Sequence, residues 1–279
     1  MSILDRREVE KRIKSGKALH LLDLEGISLE GANLEGAVIT KCNMRGANLA
    51  GANLNCARLS NCDFTGAKFQ EARMQEVLLA DTNLTNADFS DAVLVEASFK
   101  HATLDRTMFA GANLTSAFLI EVTGTMSDFS GANLKQAYLN GSSMVLSVFD
   151  DCQADLMRAI KTDFTGSSIR GASMDRAILL GANFSLTDLE GTLLRGCPLK
   201  HANFCLSVLR GAKLTKSNLE KAHFFKVNAE GIMLNGANLH DANLMEGNFK
   251  QANFDKANLA GAVTDKANFE GASFEGAQR

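Results

Sequence analysis

Ala32-Asn33-Leu34-Glu35-Gly36 returns in variant form as Ala47-Asn48-Leu49-Ala50-Gly51, Ala112-Asn113-Leu114-Thr115-Ser116 and Ala257-Asn258-Leu259-Ala260-Gly261. Outward from these anchors, one frame of five runs from Leu22 to Gly276, 51 units in 255 residues. The third residue of a unit is Leu, Phe, Met or Ile in 46 of 51 cases, and the first is small in 44. So strict a pattern marks a repeat architecture, in which stacking neighbours bury what no single unit can. Phe69, Phe89, Phe109, Phe129 and Phe149 recur at steps of 20, as do Phe164, Phe184, Phe204 and Phe224. Four units per turn would bring these rings into columns at the ~4.8 Å spacing of hydrogen-bonded strands.

The unit resembles the pentapeptide-repeat family, whose motif is a small residue, Asn or Asp, Leu or Phe, then two variable residues. The resemblance implies an all-β fold, a right-handed quadrilateral parallel β-helix (β-solenoid) of about 12–13 coils, with first and third residues inward. Three parts are expected: residues 1–21 as a capping helix and lead-in, 22–276 as the β-helix, and 277–279 as a tail. Residues 5–15 read as a short amphipathic helix. Ser2 and Asp5 offer start chemistry, Val9 and Ile13 lie one turn apart, Glu8 can pair with Arg12, and Gly16 suits the stop. Its expected role is to cover Leu22, Leu24, Ile27 and Leu29, with docking of another protein as the alternative.

Several units depart from the pattern. Gly124, Ala154, Ala159, Ala229 and Thr264 hold third positions, and Ala154-Asp155-Leu156-Met157-Arg158 fits the motif two residues out of frame. A bulge or short excursion is therefore expected at 151–161.

Composition narrows function. With 29 basic and 32 acidic residues the net charge is −3, unlike a polybasic nucleic-acid binder. No apolar stretch is long enough to span a membrane as a helix, and the charged start is unlike a secretory peptide. Six cysteines in 279 residues are no disulfide framework, so a cytoplasmic setting is expected. Cys42, Cys62, Cys152 and Cys197 hold inward sites. Cys42 and Cys62 lie one turn apart, where a disulfide is conceivable, but buried free thiols are the expectation. A packed coil leaves no pocket for convergent groups. The chain therefore reads as a non-enzyme without cofactor, metal or small-molecule ligand.

What remains is surface. Phe118, Ile120, Tyr138, Ile178 and Leu180 share one outward face; Met126, Val145, Leu146, Leu186, Leu206, Phe225 and Met245 share its neighbour. An outward apolar band of this kind marks a protein-binding surface. At the far end, Phe254, Phe269 and Phe274 are expected to lie uncovered and to pair with a second copy, since strand edges are rarely left open. Some pentapeptide-repeat relatives dimerise there. A further face carries Asp88, Asp91, Asp128, Asp150, Asp151, Asp188 and Glu190, 11 acids against 4 bases in all. Through the family resemblance this stripe implies an alternative role, a DNA mimic that inhibits or protects gyrase or topoisomerase IV. The leading expectation is a rigid scaffold or adaptor for another protein. The opening Arg7-Glu8-Val9-Glu10-Lys11-Arg12-Ile13-Lys14-Ser15-Gly16, running into Leu22-Asp23-Leu24-Glu25-Gly26, is similar to bacterial family members that accompany type VI secretion.

Overall fold

The computed structural model describes residues 4–279 and comprises two compact units, Met1–Tyr138 and Leu139–Arg279. The start signal at Ser2 lies outside the described residues. The helix α1 spans Arg6–Lys14; Asp5 is its N-cap and accepts from the Glu8 amide at 2.9 Å. Arg6 pairs with Glu10 and Arg12 with Glu8 along the helix. Gly16, in the left-handed region at φ 71°, follows the Ser15 cap and ends it. α1 packs against β1 (Leu19–His20), which pairs in parallel with β2 (Ile39–Thr40). Val9 is buried, as are Leu24 and Leu29 of the first coil, whereas Leu22 and Ile27, also expected to be covered, are only half-buried.

Beyond β2 each unit is built from one motif. Second residues of pentapeptides bridge in parallel to the residue 20 further on, for example Asn43 to Asp63 and Asn183 to Asn203. Leu34 N–H donates to the Asn53 carbonyl at 2.7 Å, and Asn53 N–H donates back to Ala32 at 2.9 Å. Between bridges the chain turns: Ala37 N–H donates to the Leu34 carbonyl at 3.0 Å, with Gly36 at φ 63°. This is a type II turn, which requires positive φ at its third residue. Four such turns close each coil into a square.

Corner chemistry explains two features of composition. Every fifth residue from Leu21 to Gly276 is left-handed, yet only 20 of these 52 are glycine. Asn outnumbers Asp 17 to 6 at the second position because its amide has two uses. Asn48 Oδ1 accepts the Ala50 amide at 3.1 Å, an Asx turn, while Asn53 Nδ2 donates to Asn33 one coil away at 3.1 Å. An ionised Asp could only accept.

The core is a stack. In the first unit the rings of Phe69, Phe89, Phe109 and Phe129 follow one another at 4.5–5.1 Å. In the second, Phe164, Phe184, Phe204 and Phe224 do so at 4.9–5.1 Å, near parallel. Small first residues leave room for these large third residues.

Residues 151–161 correct the expectation of an excursion: the coil continues in register. Gln153 bridges to Ser173 and Arg158 to Ile178, and Ala154, Met157 and Ala159 are fully buried. The reason is volume exchanged within the motif. Met157, in a place usually held by a small residue, supplies the bulk that Ala154 and Ala159 lack. Ala229 is likewise buried two residues from the first-position Val227.

Gly247 shows the reverse exchange. It occupies a first position, where Ala is the ordinary residue. A Cβ there would lie 2.5 Å from Phe249 Cε2, 3.1 Å from Val227 Cγ1 and 3.2 Å from the Leu244 carbonyl. Gly247→Ala is therefore expected to destabilise by roughly 1–3 kcal/mol through overpacking. Chemical denaturation checks this, and a neutral result would show that the Phe249 ring can yield.

Candidate protein-binding surface

The outward residues divide between the two units. In Met1–Tyr138, Phe118 and Tyr138 stack at 5.0 Å and 13°, and Lys100 Nζ lies 6.0 Å from the Phe118 centroid. Both rings and Ile120 are half-buried. The pair thus spends much of its apolar area on itself and on a lysine. Met126, at a corner of the same unit, is exposed.

In Leu139–Arg279 the arrangement is different. Leu146, Leu186 and Leu206 take the fifth place in units 20 or 40 residues apart, on one corner, and are 50%, 59% and 51% exposed. Gly166 holds the intervening place, and a Cβ there would meet Leu146 Cδ2 at 2.9 Å, so Leu146 leans into the gap. Val145, Cys205, Phe225 and Met245, from fourth positions of the same corner, are half-buried beside them. Lys226 Nζ sits 5.0 Å from the Phe225 centroid. Ile178 is half-buried, and Leu180 is exposed at the preceding corner.

Each corner leucine carries two costs. Water contacts half its side chain, and its backbone is left-handed, at φ 58°, 59° and 60° for Leu146, Leu186 and Leu206. A non-glycine residue there is strained by roughly 1–2 kcal/mol. Sequence reading finds the leucines but not their strain, since glycine marks only some of the corners. A cue was available: fifth positions are otherwise mostly glycine, charged or amide residues.

The acidic stripe is less bare than its sequence implies. In the first unit, Asp88 Oδ1 accepts the Ser90 amide and Asp128 Oδ1 the Ser130 amide, both at 2.9 Å, while Asp91 lies at an exposed corner. In the second, Asp150 accepts from Ser168 Oγ at 2.6 Å beside exposed Asp151. Arg170 bonds Asp188 at 3.0 Å and Glu190 at 2.6 Å, and Arg210 reaches Glu190 at 3.1 Å. Two guanidiniums thus interrupt the row of charge.

At the C-terminal coil, Phe269 and Phe274 are half-buried and line an apolar hollow of about 410 Å³ with Leu259, Ala262 and Arg279. Arg279 lies over the Phe274 ring at 4.6 Å. Phe254 corrects the expectation: it is fully buried, because Phe274 stacks on it at 5.0 Å and 3°. Among the described residues, no group of three or more His, Cys, Asp or Glu side chains could hold a metal ion, and no helix is long and apolar enough to cross a membrane.

The Pentapeptide repeats family matches in eight copies, over residues 20–55, 42–81, 82–119, 127–159, 160–196, 193–224, 222–261 and 252–278. A solved structure of trypsin-treated QnrB1, a plasmid-mediated fluoroquinolone resistance protein, is 15% identical. It covers 63% of this chain and 90% of that one at a TM-score of 0.57. HetL, a pentapeptide repeat protein involved in heterocyst differentiation regulation from the cyanobacterium Nostoc sp. strain PCC 7120, is 25% identical over 97% of each chain, with a TM-score of 0.27. No curated protein matches. The family match and the likeness to QnrB1 agree with the coil geometry in a right-handed quadrilateral β-helix.

Proposed function

The chain belongs to the pentapeptide-repeat family, and from that premise we propose that it is a non-catalytic scaffold that binds another protein through the leucine corner of Leu139–Arg279. The observation that carries this reading is the coincidence of exposure and left-handed strain at Leu146, Leu186 and Leu206. Glycine would remove both costs, which supports a use for these leucines in a second molecule. Val145, Phe225, Ile178 and Leu180 widen the surface, and Phe118, Ile120 and Tyr138 offer a separate apolar group on the first unit. A coil already ordered loses little conformational entropy on association. The test is the variant Leu146→Gly, Leu186→Gly, Leu206→Gly. The wild-type chain should retain a protein partner that the variant releases; a variant that still binds it removes the corner from the reading.

Homodimerisation through the C-terminal coil is part of the proposal, supported by the half-buried Phe269 and Phe274 and the hollow they line. Phe274→Asp is expected to convert a dimer to a monomer in sedimentation at micromolar protein. A wild-type chain that is already monomeric would exclude the pairing. Service as an adaptor in the cytoplasm, beside a type VI secretion system, is the finer form of the reading, drawn from the N-terminal sequence likeness.

The alternative, a DNA mimic acting on gyrase or topoisomerase IV, draws on the acidic stripe and on the fold shared with a fluoroquinolone resistance protein. Arg170 and Arg210 within that stripe weigh against it, since a phosphate-like row requires unneutralised charge. Supercoiling by gyrase is expected to proceed unchanged with the protein added. Inhibition, or protection against a quinolone, would reverse the order of the two readings.

A further inference from the structure

We propose that Cys42 and Cys62 form a covalent redox site, a dithiol that a hydroperoxide closes into a disulfide joining two successive coils. The two residues hold the same place in units 20 residues apart, and their neighbours Asn43 and Asp63 bridge in register. Strands so paired stand ~4.8 Å apart, within the 4.4–6.8 Å Cα separation of disulfides. The thiols share a pose. Cys42 Sγ lies 3.6 Å from the Leu19 carbonyl oxygen, and Cys62 Sγ 3.4 Å from that of Ile39. Cys62 Sγ also accepts the Cys42 amide at 3.4 Å, which sets it against its partner.

The environment separates the roles of the two sulfurs. The hydrogen bond between the two thiols draws Cys42 below the ordinary thiol range against the opposing effect of burial, and the same bond together with burial pushes Cys62 up. Both thiols are buried, with Cys42 assigned the attack and Cys62 the resolving role. Two other inward cysteines serve as internal controls. One coil on from Cys152 stands Ala172, and one coil on from Cys197 stands Ser217. Burial pushes both of these thiols up to about 12.

The chemistry balances with hydrogen peroxide as oxidant. Cys42 thiolate attacks one peroxide oxygen; the S–O bond forms, the O–O bond breaks, and hydroxide leaves to take up a proton as water. Cys62 sulfur then attacks the sulfenic sulfur; the S–S bond forms and the S–O bond breaks. The departing hydroxide takes the Cys62 proton as a second water. Two electrons pass from the sulfur pair to the peroxide. The product staples the coils next to α1, where an end-on solenoid begins to fray.

Alkylation in denaturant tests the site on the full chain after peroxide treatment. Alkylatable thiols should fall from six to four, with a Cys42–Cys62 linked peptide that a dithiol reductant reverses. Opening of the amides between the two cysteines should slow on the order of a hundredfold, the loop-closure effect expressed as an equilibrium. In Cys62→Ser, a sulfenic acid should persist at Cys42 and react with dimedone. Thr82, next in the same column, is buried and hydrogen-bonded to the Leu59 carbonyl, so a hydroxyl fits there. Six alkylatable thiols after peroxide, or oxidation confined to the exposed Cys56 and half-buried Cys205, would overturn the proposal. So would an unreactive Cys42 in the folded Cys62→Ser variant.

Discussion

Phe184→Ala is expected to lower the free energy of unfolding by roughly 3–5 kcal/mol, the largest loss from any single truncation considered. The Phe184 ring is held between Phe164 and Phe204 at 5.1 Å on each side, with interplanar angles of 3° and 7°. Truncation forfeits two stacking contacts, each worth about 0.5–1.5 kcal/mol, and the buried area of the ring. It also leaves a cavity that the coil cannot close. Phe164 N–H is bonded to the Asn183 carbonyl at 2.8 Å and Phe184 N–H to the Asn203 carbonyl at 2.7 Å, so coil spacing is set by the backbone. Urea denaturation should show the loss, with hydrogen exchange fastest in the coils flanking residue 184. Phe118→Ala, outward and half-buried, should cost far less. Equal losses in the two variants would mean that the interior column is not the stabilising element.

The second large effect is expected on binding rather than folding. In the variant with glycine at 146, 186 and 206, each substitution relieves left-handed strain of roughly 1–2 kcal/mol, offset in part by the extra backbone freedom of glycine in the unfolded chain. The midpoint of unfolding should therefore hold or rise. Affinity for the partner should fall steeply, because fully burying an exposed leucine side chain is worth about 2 kcal/mol, near thirtyfold per residue. The three losses will not add, since the side chains share one corner. Stability retained while binding is lost distinguishes a docking ridge from core packing. A variant that loses both would place these leucines with the core.

Much of this was legible in the linear order of residues. The inward Leu and Phe column, the four units per coil and the helix at the N-terminus follow from local chemistry: small and large residues alternate at fixed spacing, and Asp5 and Gly16 mark the helix ends. The break expected at 151–161 failed because it judged the third residue of each unit alone. Packing responds to summed volume, and Met157 in a first position makes good the bulk missing at Ala154 and Ala159. Phe254 was misplaced for a related reason. Its burial depends on Phe274, 20 residues later and stacked on its face.

The candidate surfaces were legible only as lists of outward residues. Which of them meet water was settled by neighbours one coil away: Tyr138 covers Phe118, Arg170 neutralises Asp188, and Gly166 leaves Leu146 open. The strain at the leucine corner was hidden because a left-handed backbone is a property of the turn, whichever residue occupies it. Periodic chemistry along the chain determined the coil and its solid interior, since each unit repeats the same burial. Exposure and charge pairing were decided only when the chain closed on itself, because each depends on groups that register brings together across 20 residues.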